Sequence, residues 1–436
     1  MVIGFIFLFI MLVTGGRTRF SGRSMTLIDP TYASHHMPLV ASVAEHAPTA
    51  WGLYLTNIQN LLLFVPLGLY LILTYKKKMT YGKLFLALYI LCSIYFSCVM
   101  IRLVLIVAPA IVLVAAIGVS WIVRRASKSI RFALIGRQDD PRAKSYLPPE
   151  LAVMSIMVIL WMLRNYVLHS NFYSAEALSS PSIIFSTGHQ IDGSRVIYDD
   201  FREAYYWLKQ NTAKDAKILS WWDYGYQITG MGNRTVIVDN NTWNNTHIAT
   251  VGKFLSSNEE DGIKIARQLD ANYVLVIFGG MTHYSGDDLS KFLWFVRIAG
   301  DVFPGVSDAD FYKDDYYFGV ADWQLSDKFK ECITYKMLYY RYGEVYLYED
   351  EPPGYDAARG VEIGHKDIEL KYFEEAFTSQ NWLVRIYKVL PEANRAPEFE
   401  DVYPRRLFLT EDPEWEGEPW EYRGDPQNGI GYTPYL

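Results

Sequence analysis

The sequence predicts a membrane helical bundle of about five spans, the first of them truncated, followed by a mixed α/β domain. Three observations carry that prediction. Half of the 436 residues are hydrophobic, and in the first 168 they gather into long runs separated by short basic clusters. Charge divides along the same line. Residues 1–168 hold 16 Lys and Arg against five acids (Asp29, Glu45, Asp139, Asp140 and Glu150), a balance of +11, whereas 169–436 hold 25 bases and 43 acids, a balance of −18. From about Ser194 the pattern becomes amphipathic helices alternating with short buried strands. A chain this long and apolar is not disordered. Its three cysteines, Cys92, Cys98 and Cys332, neither frame a disulfide scaffold nor show zinc spacing. Basic clusters lying between apolar runs point to a bilayer and away from nucleic acid.

The apolar runs are 1–14, 51–75, 84–123 and 151–168. The first is short for a span and lacks the basic start and cleavage site of a signal peptide. The third is 40 residues with one charge, Arg102. As a single helix it would reach about 60 Å, twice the hydrocarbon core, so it predicts two spans meeting near Arg102. Lys76, Lys77, Lys78 and Lys83 follow the second run. Arg124, Arg125, Lys128, Arg131, Arg137, Arg142 and Lys144 follow the third. Both loops are expected on the cytosolic side, which puts 15–50, the Arg102 turn and everything after about His169 on the other. Arg102 then reads either as a snorkelling side chain at a helix end or as an anion site.

In the second part, 199–210 predicts a helix capped by Asp199 or Asp200. Short strands are expected at 217–220 and 235–238, a helix at 259–269, a buried strand at 273–278 and a helix at 287–298. Later strands are expected at 344–348 and 383–389, with 369–377 helical between them. Beyond Pro391 the chain is acidic, rich in Pro and Trp and without a period, which predicts a mostly disordered tail over 391–436. The domain plan is therefore 1–168 membrane, with a loop at 15–50, then 169–390 α/β, then the tail.

The stretch Trp221-Trp222-Asp223-Tyr224-Gly225-Tyr226 follows a strand, where an α/β sheet opens its crevice. Two indoles and a carboxylate make an apolar wall with one acceptor, suited to a small group bearing a hydroxyl and a methyl. The alternative is an interfacial aromatic belt with a structural Asp. Asp288 and Lys291 share a helix face at i and i+3, the spacing of an ordinary ion pair, and Phe295 continues that face. Three glycosylation sequons begin at Asn233, Asn240 and Asn244, consistent with an endoplasmic-reticulum lumenal surface. Asp308-Ala309-Asp310 has the look of a metal-binding pair but reads better as a solvated turn.

Trp221–Gly225, followed by Asp239-Asn240-Asn241-Thr242-Trp243-Asn244-Asn245-Thr246-His247-Ile248, resembles the catalytic subunit of the eukaryotic oligosaccharyltransferase. The likeness extends through 29–45, the Arg102 region, 273–280, 286–298, 362–366 and 382–388. It implies transfer of a preassembled oligosaccharide from dolichyl diphosphate to Asn in Asn-X-Ser/Thr, in the endoplasmic-reticulum membrane, with the C-terminal domain in the lumen and other subunits as partners. By that resemblance Trp221, Trp222 and Asp223 hold the Ser/Thr of the acceptor, with Asp288 and Lys291 beside them. Glu45 is the glutamate of the loop that closes over the acceptor and meets its amide, and is the expected catalytic residue. Arg102 and Tyr226 bind the diphosphate donor, Asn240 and Asn244 match asparagines that carry glycans in the family, and Asn233 is expected to carry one by its sequon. Phe295 stands where the family has Met or Ile, so a narrowed pocket with altered Thr-versus-Ser preference is expected. Ala44 replaces the second serine of the loop motif. The family also has further spans ahead of this chain's first run, with acidic loops that bind Mn²⁺ or Mg²⁺. Nothing here matches those ligands, so no metal residue is assigned, and 1–14 reads as the end of a truncated span. A non-catalytic half-subunit that binds sequon peptides is the alternative.

Overall fold

The computed structural model of the protein describes residues 25–27, 29, 31–74, 79–136, 147–178, 183–186, 196–313, 319–348 and 350–390. The expected first span at 1–14 and the acidic tail lie outside these residues, as do Lys76–Lys78 and the basic stretch 137–146. The chain falls into two compact units, Met1–Ser180 and Pro181–Leu436.

The first unit is helical. Its main elements are α1 (Val65–Thr74), α2 (Tyr81–Val99), α3 (Val104–Leu134) and α4 (Pro149–Leu178). Three helical stretches, Tyr81–Val99, Ile101–Leu134 and Pro149–Ser174, are long and apolar enough to cross a membrane. The long run divides where its length demanded: α2 ends at Val99 and a 3₁₀ turn, Ile101–Leu103, carries Arg102. Helix α3 then continues past the apolar segment, so Arg124, Arg125, Lys128 and Arg131 ride on its last turns and not in a loop. Its 31 residues reach about 46 Å, and Arg125 stacks 4.8 Å over Trp121, the pairing of an interfacial anchor.

The run at 51–75 is not one straight span. Trp51–Asn57 and Gln59–Thr74 are bent by 103° at Gln59, whose φ is 55°. The break leaves the Thr56 carbonyl without its helical donor, and the His169 ring N–H of α4 supplies one at 3.2 Å. Helices α1 and α3 cross through glycines: a Cβ on Gly68 would lie 2.0 Å from the Val114 carbonyl oxygen, the close approach that small residues permit between membrane helices. Ile90, Val107, Ile111 and Val114 fill the core beside them.

The second unit is built on five strands: β1 (Lys217–Leu219), β2 (Thr235–Val236), β3 (Tyr273–Ile277), β4 (Phe373–Thr378) and β5 (Val384–Val389). Their order is β2-β1-β3-β5-β4. The first three run parallel, and β5 is antiparallel to both neighbours. Around them lie α5 (Asp200–Asn211), α6 (Asn245–Ser256), α7 (Glu259–Gln268), α8 (Asp288–Gly300) and α9 (Ile333–Tyr339). Residues 274–277 of β3 are fully buried, as the continuous apolar run required.

Two expected elements are corrected. Residues 369–377, rich in helix formers, are not helical, and Phe373–Thr378 is strand β4. Pairing within the sheet overrides local propensity: β4 completes the sheet edge as a hairpin with β5, and Glu375 takes the buried Arg385 guanidinium at 2.9 Å. Residues 344–348 are not a strand. A 3₁₀ turn ends at Glu344, and Tyr346 and Tyr348 are exposed, so the apolar residues there have no sheet to join. The start of α5 also differs in detail. Asp199 holds the N-cap position, but its side chain binds Arg202 and no helix amide, while Asp200 is buried and accepts from Ser379 and Asn381.

Candidate functional site

Strand β1 ends at Leu219, and the chain enters a 3₁₀ turn, Trp222–Tyr224, beside the carboxyl end of β3. The turn seats tightly because residue 225 is glycine: a Cβ there would lie 2.5 Å from the Asp239 Cα and 2.7 Å from the Val238 carbonyl oxygen. Helix α8 begins at the same end of the sheet, pinned by two adjacent carboxylates. Asp287 caps it, accepting from the Ser290 amide at 3.1 Å with one oxygen and from the Gly279 amide at 2.9 Å with the other. The Arg359 guanidinium forks onto the same carboxylate. Asp288 accepts from the Ile277 amide at 2.8 Å and from the Tyr224 hydroxyl at 2.9 Å. The turn and the helix are thus joined through the interior.

From there a chain of polar contacts runs outward. Lys291 Nζ donates to Tyr224 Oη at 2.8 Å, lies 4.4 Å over the Tyr224 ring and sits 2.9 Å from Asp223 Oδ2. Asp288 is 1% exposed, so its part is to hold Tyr224 and not to meet a ligand. The side chains of Asp223 and Lys291, 30% and 24% exposed, form the accessible end. Asp223 Oδ1 has no partner among the described residues. Trp221 is buried with its ring centroid 4.5 Å from that of Phe295, which is itself fully buried in α8. Trp222 is half-buried beside Trp221, and its indole N–H has no acceptor among the described residues. The arrangement is the half-buried Trp222 indole, backed by the buried Trp221, beside one open carboxylate oxygen.

Electrostatics follow from burial. Desolvation raises Asp288 to about 7, against the pull of Lys291, the Ile277 amide and the Tyr224 hydroxyl. Burial also drives Tyr224 well above the usual phenol range, and the carboxylates of Asp288 and Asp223 push it the same way. The Tyr224 proton therefore stays on its oxygen, directed at Asp288, and the lone pairs face Lys291.

Trp221, Trp222, Asp223, Asp288 and Lys291 thus lie together at this end of the sheet. Tyr226 is exposed on the next turn, its hydroxyl donating to Asn241 Oδ1 at 2.6 Å. Asn233 is exposed in a left-handed conformation, φ 51°. Asn244 caps α6 through its oxygen, accepting from the His247 amide at 3.0 Å. Asn240 is partly buried against the Asp223 turn. Asp308 and Asp310 are paired with Arg297 and Lys328 in a short 3₁₀ turn. In the helical unit, Glu45 is exposed on the 3₁₀ turn Ala44–His46. That turn lies against the turn of Arg102, with the Ile101 amide donating to the Ala47 carbonyl at 3.0 Å. Arg102 Nη1 donates to His46 Nε2 at 3.0 Å. Arginine only donates, so His46 carries its proton on Nδ1 and gives it to the Val40 carbonyl at 3.0 Å.

Tyr224 and Asp287 are working parts that sequence reasoning passed over. Asp287 had a signal, the Asp that precedes a helix. Tyr224 lay inside the conspicuous stretch but carried no charge to single it out. His46 had no local signal, its partner Arg102 being 56 residues away, and the only local sign at Arg359 was Asp356 three residues before it, while Asp287 is 72 residues away.

Residues 1–115 match the family described as oligosaccharyl transferase STT3, N-terminal, and residues 214–291 match the STT3/PglB/AglB core domain. Over 391 residues the chain is 48% identical to the dolichyl-diphosphooligosaccharide–protein glycosyltransferase subunit STT3B of Oryza sativa subsp. japonica, covering 86% of this chain and 53% of that one. The chain belongs to the oligosaccharyltransferase STT3 family. Subunit STT3 of Dictyostelium discoideum is 47% identical over 384 residues, covering 88% and 52%. This STT3-family chain therefore spans about half the length of the curated relatives it matches. Among solved structures, archaeal oligosaccharyltransferase AglB from Archaeoglobus fulgidus, in complex with an inhibitory peptide and a dolichol-phosphate, aligns with TM-score 0.51 at 14% identity. It covers 77% of this chain and 42% of its own, a likeness of fold. Among the described residues no three of His, Cys, Asp and Glu converge as a cation site. These residues do not by themselves fit the divalent ion that the family resemblance implies.

Proposed function

We propose that this chain recognises the Asn-X-Ser/Thr acceptor in a dolichyl-diphosphooligosaccharide–protein glycosyltransferase. In this reading it is a multi-pass protein of the endoplasmic-reticulum membrane with its α/β unit in the lumen. The acceptor polypeptide, the dolichyl-diphosphate-linked oligosaccharide and other transferase subunits are its partners. The reading is supported by family membership and carried by one observation: the Asp288–Tyr224–Lys291–Asp223 chain ending beside Trp221 and Trp222. The hydroxyl of Ser or Thr donates to Asp223 Oδ1, and the methyl of Thr lies on the half-buried Trp222 indole, with the buried Trp221 behind it. Lys291 holds the other Asp223 oxygen, so the carboxylate presents one orientation and binding wastes little rotamer entropy.

In the transfer the acceptor amide nitrogen bonds to the sugar carbon, the bond from that carbon to the diphosphate oxygen breaks with its electron pair leaving on dolichyl diphosphate, and the proton that the amide gives up balances that charge on the departing diphosphate or in solvent. Glu45 accepts a hydrogen bond from the amide N–H. Arg102 and Tyr226 meet the diphosphate, the guanidinium supplying positive charge and a fork of donors. The Mn²⁺ or Mg²⁺ expected for the family would neutralise the leaving diphosphate, and no step here is assigned to it.

The test is the affinity of this chain for a fluorescent Asn-X-Thr peptide, read by anisotropy. Asp223→Ala should weaken binding about tenfold, the worth of a hydrogen bond to a charged group. Equal affinity for Asp223→Ala, or for an Asn-X-Ala peptide, would overturn the assignment.

A further inference from the structure

The two halves of the long sequence signature meet through polar contacts between residues 14 to 17 apart in the chain, and they form one object. Asn240 Nδ2 donates to the Asp223 carbonyl at 3.0 Å, and Asn240 Oδ1 accepts from the Tyr226 amide at 3.1 Å. One side-chain amide therefore spans the backbone on either side of Tyr224 and Gly225. Asn241 reinforces it: its Oδ1 takes the Tyr226 hydroxyl at 2.6 Å. Its own amide groups are held by Asp239, at 2.9 Å through the main chain and 3.1 Å through the side chain. Gly225 lies flat against Asp239 beneath this bridge, where no other residue fits.

A side-chain amide is the one group that can do this. It needs a donor for a carbonyl and an acceptor for an N–H on the same rigid plane, which neither a carboxylate nor a hydroxyl on the same short stem offers in that geometry. The backbone groups it satisfies belong to residues that the proposed function gives to different substrates: Asp223 to the acceptor, Tyr226 to the donor.

We propose that Asn240 is a positioning residue, a splint that holds the 223–226 turn as one piece and so fixes Asp223 and Tyr226 relative to each other. This role is separate from any glycan its sequon receives. A glycan replaces one hydrogen on Nδ2 and leaves another, so the two roles are chemically compatible. The proposal rests on the acceptor reading of Asp223, and the test includes that residue so that the two stand or fall separately.

The experiment measures KM for a sequon peptide and for the dolichyl-diphosphate donor in microsomes carrying this chain within its assembled transferase. Four variants are compared: Asn240→Ala, Asn240→Asp, Thr242→Ala and Asp223→Ala. Thr242→Ala abolishes the sequon but keeps the splint, and both KM values should stay within about twofold of the parent. Asn240→Ala removes both bonds, and each KM should rise about three- to tenfold. Asn240→Asp keeps the oxygen for the Tyr226 amide but sets a carboxylate against the Asp223 carbonyl. Its peptide KM should rise with little change in donor KM, a split that general loss of folding would not give. Should Asn240→Ala fail to fold, that split decides alone. The proposal is overturned if Thr242→Ala reproduces the Asn240 effects. It is also overturned if both Asn240 variants leave the two KM values unchanged while Asp223→Ala raises that for peptide. An unchanged peptide KM in Asp223→Ala would instead sink the acceptor reading itself.

Discussion

The two units hold their functional charges in opposite ways. In the α/β unit, Asp223 is the outer end of a chain of groups that runs inward through Lys291 and Tyr224 to a carboxylate with 1% exposure. In the helical unit, Glu45 and Arg102 are both exposed on short 3₁₀ turns, and the side-chain contact between those turns is one hydrogen bond from Arg102 to His46. Groups locked by buried partners are pre-organised, and a ligand meets them in place. Groups on exposed turns leave their ordering to the ligand. Under the proposed function the difference suits a division of labour in which the short hydroxyl of a sequon would be read by a fixed pocket, while the bulky donor and the amide nitrogen would be met by residues that adjust.

If that contrast is right, the largest effect comes from cutting the inward chain at its middle. Tyr224→Phe removes the donor to Asp288 and the acceptor for Lys291 at once. A buried carboxylate that loses a hydrogen bond costs about 1–3 kcal/mol, so thermal unfolding of the α/β unit should fall by several degrees. Peptide affinity should drop roughly tenfold or more, since Lys291 is then free to turn and Asp223 with it. The matching change in the helical unit, His46→Leu, should leave peptide affinity alone. Equal losses in the two variants, measured by anisotropy and differential scanning fluorimetry, would erase the contrast.

A smaller effect sharpens it. Asp288 binds its proton more firmly folded, at about 7, than at the ordinary 3.8 of an exposed carboxyl. Between those values the folded state holds more protons than the unfolded one, so its stability declines as pH rises from about 4 to 7 and is level above. Asp288→Asn cannot titrate and should flatten that slope, at the cost of turning an amide N–H toward either Ile277 or Tyr224. Urea midpoints taken from pH 4 to 8 give the comparison, and an unchanged slope in Asp288→Asn would place the titration elsewhere.

How much of this was legible in the sequence differs between the units for a physical reason. Apolar runs and basic clusters are local signals, and the bilayer thickness turns them into spans, so the division at Arg102 was readable. The bend at Gln59 was not, because it is stabilised from α4 through His169. In the α/β unit β3 and α8 announced themselves by period. Residues 369–377 did not, because Glu374 and Glu375 favour helix locally and only the β5 ladder and Arg385 make them strand. At the site the charged residues were visible and their supports were not. Tyr224 and Arg359 act through partners 64 and 72 residues away, distances over which no spacing rule speaks.

The smallest expected effect concerns Phe295, which the resemblance marked as a departure. Its ring is fully buried and packs on Trp221 at 4.5 Å between centroids, with Phe292 edge-on at 6.3 Å on its own helix. It therefore acts through the indole it supports, not as a wall of the pocket. Phe295→Met keeps roughly the volume and gives a flexible chain in place of a rigid ring, a swap that costs about 1 kcal/mol or less. Trp221 should settle slightly deeper, which leaves more room for the methyl that distinguishes Thr from Ser while Asp223 is untouched. The ratio of Thr- to Ser-peptide affinity should rise by about threefold, well under the tenfold that a whole methyl group commands in a close pocket. On the proposed reading Asp223 meets only the hydroxyl, so Asp223→Ala should lower both affinities and leave the ratio nearly unchanged. A ratio that moves in Asp223→Ala and not in Phe295→Met would show that the indoles do not discriminate the methyl, and that the carboxylate sets the preference between Thr and Ser.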